Sequence, residues 1–199
     1  WWPASVHLLG KDILRFHCVI WPGMLLSAGY ELPKQLFVHG FLTIDGQKMS
    51  KTLGNVINPL RLVENYGVDP LRYFLMREIP FGEDGDFSEA SLKKRMNNEL
   101  ANDLGNLVSR SLTIAEKSLK GHVKKAAIDK NLEKKFSLEK IEEKMDSFQL
   151  HHAIDEIWKF INDVNRYINE KEPWKAENKE EILYNVLESI RIIATIITP

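Results

Sequence analysis

The chain has 199 residues, 44% of them apolar, enough to bury a core and to form one or two domains. Its 27 basic and 28 acidic side chains leave a formal charge of -1, and after Ala90 there are 19 Lys or Arg against 18 Asp or Glu; no basic surplus marks a nucleic-acid binder, so such a role must rest on local residues. The single cysteine, Cys18, excludes an intrachain disulfide and a cysteine metal cluster, and it fits a reducing, cytoplasmic setting.

Residues 6–9 are a short apolar run ending at Gly10, the pattern of a strand buried on both faces of a parallel sheet. From Asp12 the spacing changes, with Ile13, Phe16, His17, Ile20, Trp21 and Met24 recurring at three and four, which predicts a helix. Pro22 removes a backbone donor and predicts a kink or an end near residues 18–21. Residues 35–43 read as a second strand, followed by a hairpin turn at Asp45-Gly46. A strand, a crossover helix and a strand make a right-handed parallel unit. Asn58-Pro59 and Asp69-Pro70 each place proline behind an N-cap, predicting short helices over 60–65 and 71–78. The stretch 80–86, with two glycines and three acids, reads as a linker. It divides an α/β part, 1–80, from an all-α part, 88–199, with 81–87 between them.

Ser88 and Ser91 open a long helix striped by Leu92, Met96, Leu100, Leu104, Leu107, Val108 and Leu112 and running to about residue 119. A polar connection (121–130) and a weakly periodic stretch (132–145) follow. Ser147 is expected to cap a strong helix that turns Leu150, Ile154, Ile157, Trp158, Ile161, Val164 and Ile168 inward until Pro173 stops it. Ile182, Val186, Leu187, Ile190, Ile193 and Ile197 mark a last helix. Short connections between amphipathic helices predict an antiparallel bundle. No secretory signal opens the chain, and the apolar run 190–197 is interrupted by Arg191 and too short to span a bilayer, so the chain reads as soluble. It begins abruptly at Trp1-Trp2-Pro3 and stops straight after a helical pattern, as a fragment of a longer protein would.

Chemistry concentrates in Gln47-Lys48-Met49-Ser50-Lys51-Thr52-Leu53-Gly54-Asn55. Two lysines three apart flank a small hydroxyl residue, with Gly46 and Gly54 as hinges. Such a loop can swing two ammonium groups onto a polyphosphate; alone, it also fits a solvated turn. Gly10 and Asp12 stand at the carboxyl end of a strand, where open parallel sheets place ligands. Asp12 can accept hydrogen bonds from ribose hydroxyls or cap its helix. Ile13 and His17, four apart, share a helical face, where a histidine can equally serve the core. Asn102, Asn106 and Arg110 recur every four residues opposite the leucine stripe. Such a row can read the edges of unpaired bases or form a solvated face. Trp174, in a loop after Pro173, can stack a base or plug the end of the bundle.

Taken together these segments resemble methionyl-tRNA synthetases, whose second class I signature is Lys-Met-Ser-Lys-Ser; here Thr52 keeps the final hydroxyl. Val6-His7-Leu8-Leu9-Gly10-Lys11-Asp12-Ile13 with Phe16-His17, then Asp84-Gly85-Asp86-Phe87-Ser88, Asn165-Arg166-Tyr167 and Pro173-Trp174 are similar to the family's other blocks, in order. The resemblance implies the last part of a doubly wound parallel nucleotide-binding sheet and an anticodon-binding bundle. It implies methionine activation with ATP and Mg2+, followed by transfer to tRNA(Met). Lys51, supported by Lys48, would neutralise the phosphates; Gly10, Asp12, Leu42 and Ser50 would join them at ATP, with Asp12 on the ribose and the Leu42 strand at the adenine. Ile13 and His17 would line the methionine pocket. Asn102, Asn106, Arg110, Pro173 and Trp174 would meet the anticodon, and no metal ligand is implied in this part.

The other class I signature, His-x-Gly-His, does not occur, nor does the family's inserted domain with its zinc knuckle. The chain alone is therefore expected to bind poorly and catalyse nothing until the N-terminal half of the catalytic domain joins it. The alternatives are another class I synthetase, for leucine, valine, isoleucine or cysteine, and a non-catalytic tRNA-binding protein.

Overall fold

Strand β1 (His7–Gly10) pairs in parallel with β2 (Leu36–His39), Leu9 opposite Val38 and Gly10 opposite His39. The structure is a computed structural model that describes residues 2–44, 46–50, 52, 54–80 and 82–198. It divides into two compact units, Trp1–Leu92 and Lys93–Pro199.

A parallel pair needs a crossover, and here it runs through a 3-10 turn (Lys11–Ile13), a π-helical stretch (Phe16–Ile20) and helix α1 (Trp21–Ser27). Pro22 neither ends nor interrupts this path. The backbone is helical on both sides of it, with Ile20 at φ −68° and ψ −50°, so the missing N–H is absorbed within the helix. The adjustment lies upstream, in a widened turn whose Trp21 N–H reaches the Phe16 carbonyl.

The expected strand over 35–43 proves to be two strands in separate sheets. After β2 the chain breaks at Gly40, and β3 (Leu42–Ile44) lies between antiparallel β4 (Gln47–Lys48) and parallel β5 (Gly85–Phe87). Close approach forces the break, because a β-carbon on Gly40 would sit 2.1 Å from the Glu83 carbonyl oxygen. The stretch expected to be a linker thus carries a strand. Its glycine and acids concealed it: Gly85 lies so tightly under Ile79 that a β-carbon would come within 2.3 Å of that side chain. The hairpin turn falls where expected, with Thr43 opposite Lys48 and Gly46 at a φ of 76°; Asp45 lies outside the described residues.

Helices α2 (Pro59–Tyr66) and α3 (Val68–Glu78) meet at Gly67. The Asn58 side chain accepts the Leu60 N–H at 2.9 Å, as its N-cap position predicts, whereas Asp69 lies inside the first turn of α3. Buried Phe74 sets its ring edge-on to Phe87, 5.4 Å away, fixing α3 to β5. Helix α4 (Glu89–Arg95) starts at Ser88, whose hydroxyl oxygen accepts the Ser91 N–H.

In the second unit a π-helical stretch (Met96–Gly105) leads into α5 (Asn106–Leu119). The buried face continues through Leu107, Ser111 and Ala115, leaving Leu112 exposed rather than in the stripe. Ser111 is tolerated inside because its hydroxyl donates to the Leu107 carbonyl at 2.7 Å. The weakly periodic region holds α6 (Lys130–Glu133) and α7 (Leu138–Asp146). Ser147 closes α7 instead of opening the next helix, since its hydroxyl donates back to Glu143 O. Helix α8 (Leu150–Lys171) is the axis of the unit, packed on α6, α7, α9 (Lys179–Ile196) and the 96–105 stretch. Ile161, Val164 and Ile168 are excluded from solvent. The Asn185 amide, buried on α9, bonds Ala127 O, Glu181 O and the Asp129 N–H, tethering the polar connection. Among the described residues no helix is long and apolar enough to cross a membrane.

Candidate functional site

The lysine loop grows out of the β3–β4 hairpin, and β5 holds its base. The Asp86 carboxylate accepts the Thr43 hydroxyl at 2.6 Å and the Gly46 N–H at 2.8 Å, and these donors hold its pKa below the usual carboxylate value. Asp84 accepts Lys11 Nζ at 2.5 Å and the Phe41 N–H at 2.7 Å, which lower its pKa likewise. Lys48 leaves β4 with its ammonium 4.4 Å from the centre of the Phe41 ring, the same distance at which Lys11 meets that ring. Ser50 is half-buried, its N–H bonded to the Asn55 side chain at 2.8 Å. Lys51 lies outside the described residues.

At the adjoining strand end Gly10, Asp12 and His39 converge. A β-carbon on Gly10 would lie 2.6 Å from Asp12 Oδ1 and 3.6 Å from the His39 ring, so the carboxylate lies directly against the glycine. Asp12 is exposed and lies inside the 3-10 turn, whose N-cap is Gly10. Leu42 stands in the other sheet, in register with Gly85.

Beside β1, His7, Leu9, Phe16, His17, Ile20, Trp21 and Met24 line a depression of about 430 Å3. His17 Nδ1 lies 3.2 Å from the Ile13 carbonyl. A carbonyl only accepts, so Nδ1 is the donor in this contact. Ile13 thus orients His17 through its backbone, and its side chain is not part of the lining. Trp21 stacks on His7 with ring centres 4.8 Å apart and meets His17 edge-on at 6.2 Å. Sequence reading counted Trp21 only in a helical stripe; the available signal was an aromatic ring one turn beyond His17.

In the helical unit Asn102 and Asn106 are exposed and Arg110 is half-buried. Arg110 Nη1 donates to Asn169 Oδ1 at 2.7 Å, while its buried Nε has no hydrogen-bond partner. Asn165 donates to the Asp103 carbonyl at 3.0 Å, so α8 braces the row at two points. Burial, then the charge of Glu99, pushes the Asp103 carboxyl up. Pro173 is buried and Trp174 is 46% exposed. The proline is thus the buried side chain of the pair, and the indole stands out on a turn in which Lys175 N–H bonds Glu172 O. Among the described residues no three His, Cys, Asp or Glu side chains are grouped to hold a metal ion.

The family model described as tRNA synthetases class I (M) matches residues 1–112, and the one described as Anticodon-binding domain of tRNA ligase matches residues 129–199. The chain belongs to the class I tRNA synthetases, in the methionine group. It is 47% identical to the methionine--tRNA ligase of Caldanaerobacter subterraneus subsp. tengcongensis and 46% identical to that of Thermotoga maritima, with all of this chain aligned to 33% and 34% of theirs. Among solved structures it is similar to Mycobacterium tuberculosis methionyl-tRNA synthetase in complex with methionyl-adenylate, at 42% identity and a TM-score of 0.92, covering 100% of this chain and 42% of that one. The chain thus spans about a third of the length of the curated relatives it matches.

Proposed function

We propose that this chain is the part of a methionine-tRNA ligase that supplies the lysine loop and the anticodon reader. The intact enzyme would activate methionine with MgATP to methionyl-adenylate and pyrophosphate, then pass the methionyl group to tRNA(Met). The observation that carries this reading is the similarity, along the whole chain, to an enzyme described in complex with methionyl-adenylate.

Phosphoryl chemistry of this kind asks a protein to align reactants and neutralise charge on the phosphates. Lys51 would do so first, with Lys48 beside it and Ser50 lining the loop. A loop that leaves a hairpin pinned at its turn and carries two lysines suits that task, since it can close on ATP and open for pyrophosphate. Asp12, free of a capping role, would take the ribose hydroxyls, with Gly10 giving the backbone access and the Leu42 strand meeting the adenine. The apolar depression around His17 suits a thioether, a weak acceptor recognised mainly by shape; Ile13 would act there through the carbonyl that orients His17. In the bundle, Asn102, Asn106 and Arg110 would read base edges, and Trp174, seated on Pro173, would stack a base.

The same reading makes 1–80, with strand β5 paired to it, the end of a doubly wound catalytic domain and 88–199 an antiparallel anticodon-binding bundle, in a cytoplasmic enzyme. Leu8, Phe16, Val19 and Met24 are exposed around β1 and α1, an apolar face suited to the N-terminal half of the catalytic domain. Without that half the chain would be inactive. Pyrophosphate exchange into ATP by the intact protein tests the proposal: methionine should drive it. Exchange driven by leucine, valine, isoleucine or cysteine and not by methionine would refute it.

A further inference from the structure

The side chain of Asn55 reaches back across the lysine loop and touches its backbone twice. Its Oδ1 accepts the Ser50 N–H at 2.8 Å, and its Nδ2 donates to the Lys48 carbonyl at 3.2 Å. Gly54, in the left-handed region at a φ of 68°, turns the chain so that this contact closes. A carboxamide alone among short side chains offers an acceptor and a donor side by side. The two backbone groups it meets, one N–H and one C=O two residues apart, require that pairing. The loop is therefore bracketed at both ends: Asp86 holds Gly46 at the start, and Asn55 ties Lys48 and Ser50 to its far limb.

We infer that Asn55 is a positioning residue, tying Lys48 and Ser50 to the far limb of the loop so that Lys48 is held ready for the ATP phosphates. Asn55 touches no reacting atom; it acts through Lys48 and Ser50. An unclosed loop could still reach the phosphates, but it would have to be ordered in the transition state, and that cost falls on kcat rather than on methionine binding. This inference rests on the proposed function of the loop.

In the intact protein, Asn55→Ala and the near-isosteric Asn55→Asp are compared with wild type by methionine-dependent pyrophosphate exchange. Both should lower kcat about tenfold, the scale of losing two neutral hydrogen bonds, with KM for methionine changed by less than about twofold. Asn55→Asp keeps the acceptor for Ser50 but sets a second oxygen against the Lys48 carbonyl, so it should be no faster than Asn55→Ala. Transfer from ready-made methionyl-adenylate to tRNA should keep its wild-type rate. Wild-type exchange by either variant overturns the inference, as does a loss of kcat that merely tracks a lowered unfolding midpoint in both. Lys51→Ala, run alongside, separates the failures: if it exchanges normally, the proposed role of the loop fails; if it is inactive while the Asn55 variants are normal, only the positioning role fails.

Discussion

Asp86 and Gly46 are 40 residues apart in sequence, yet the carboxylate of one accepts the N–H of the other at 2.8 Å. The same carboxylate accepts the Thr43 hydroxyl, so β5 grips the lysine hairpin at the point where it turns. The segment after α3 thereby holds the hairpin from which the lysine loop leaves.

Replacing Asp86 with alanine should free the hairpin turn. Amide exchange at Gly46 should speed up and methionine-dependent pyrophosphate exchange should slow, while β1–β2 pairing stays intact. The pH dependence has a fixed sign. A carboxylate whose folded pKa is depressed contributes above its unfolded value, near 3.8, and loses that contribution as pH falls through the lower folded value. Protection of the Gly46 amide should persist from neutral pH to about 3.8 and fade only below it; NMR exchange rates unchanged in Asp86→Ala would contradict this.

Gly40→Ala tests the crowded passage between β2 and β3. The new methyl carbon would meet the Glu83 carbonyl oxygen at 2.1 Å, and backbone cannot rotate away as a side chain can. Overpacking of this kind costs about 1–3 kcal/mol or more. Chemical denaturation should show that loss, and wild-type stability would contradict the close approach.

Trp21 should matter for the amino acid rather than for ATP. Its ring walls the depression with His7 and His17, and removing an apolar wall forfeits about 1.5–3 kcal/mol of burial. In the intact protein Trp21→Ala should raise KM for methionine roughly 10- to 100-fold, with a smaller change in KM for ATP. Equal effects on the two substrates would remove Trp21 from the methionine pocket.

For Trp174, truncation to alanine should weaken tRNA charging by about 1–3 kcal/mol, the worth of one stacked base, and leave pyrophosphate exchange intact. Arg110→Ala should act in the same direction. Charging kinetics equal to wild type in both would leave the bundle face as a solvated surface.

Much of this was legible in the residues. The seven-residue stripe of α8, the Asn58-Pro59 helix start and the hairpin at Gly46 each carry a local signal, and each element stands where that signal puts it. What was hidden depended on partners far along the chain. Nothing local distinguishes Gly85-Asp86-Phe87 from a linker, because its strand character comes from pairing with residues 42–44. Gly40 reads as strand until Glu83 is brought against it. Pro22 signalled a kink or an end on propensity, whereas the helix runs on through a π-helical turn just before it. His17 was singled out by spacing, whereas its hydrogen bond and its Trp21 neighbour needed the coordinates of Ile13 and His7.

The most direct test is pyrophosphate exchange by the intact protein carrying Lys51→Ala, with methionine binding measured in parallel. The account predicts that exchange falls by about 100- to 1,000-fold, the typical cost of one lost transition-state contact, while methionine affinity is nearly unchanged. Exchange at the wild-type rate would contradict it, because a loop that can lose this ammonium without consequence is not what shields the phosphates.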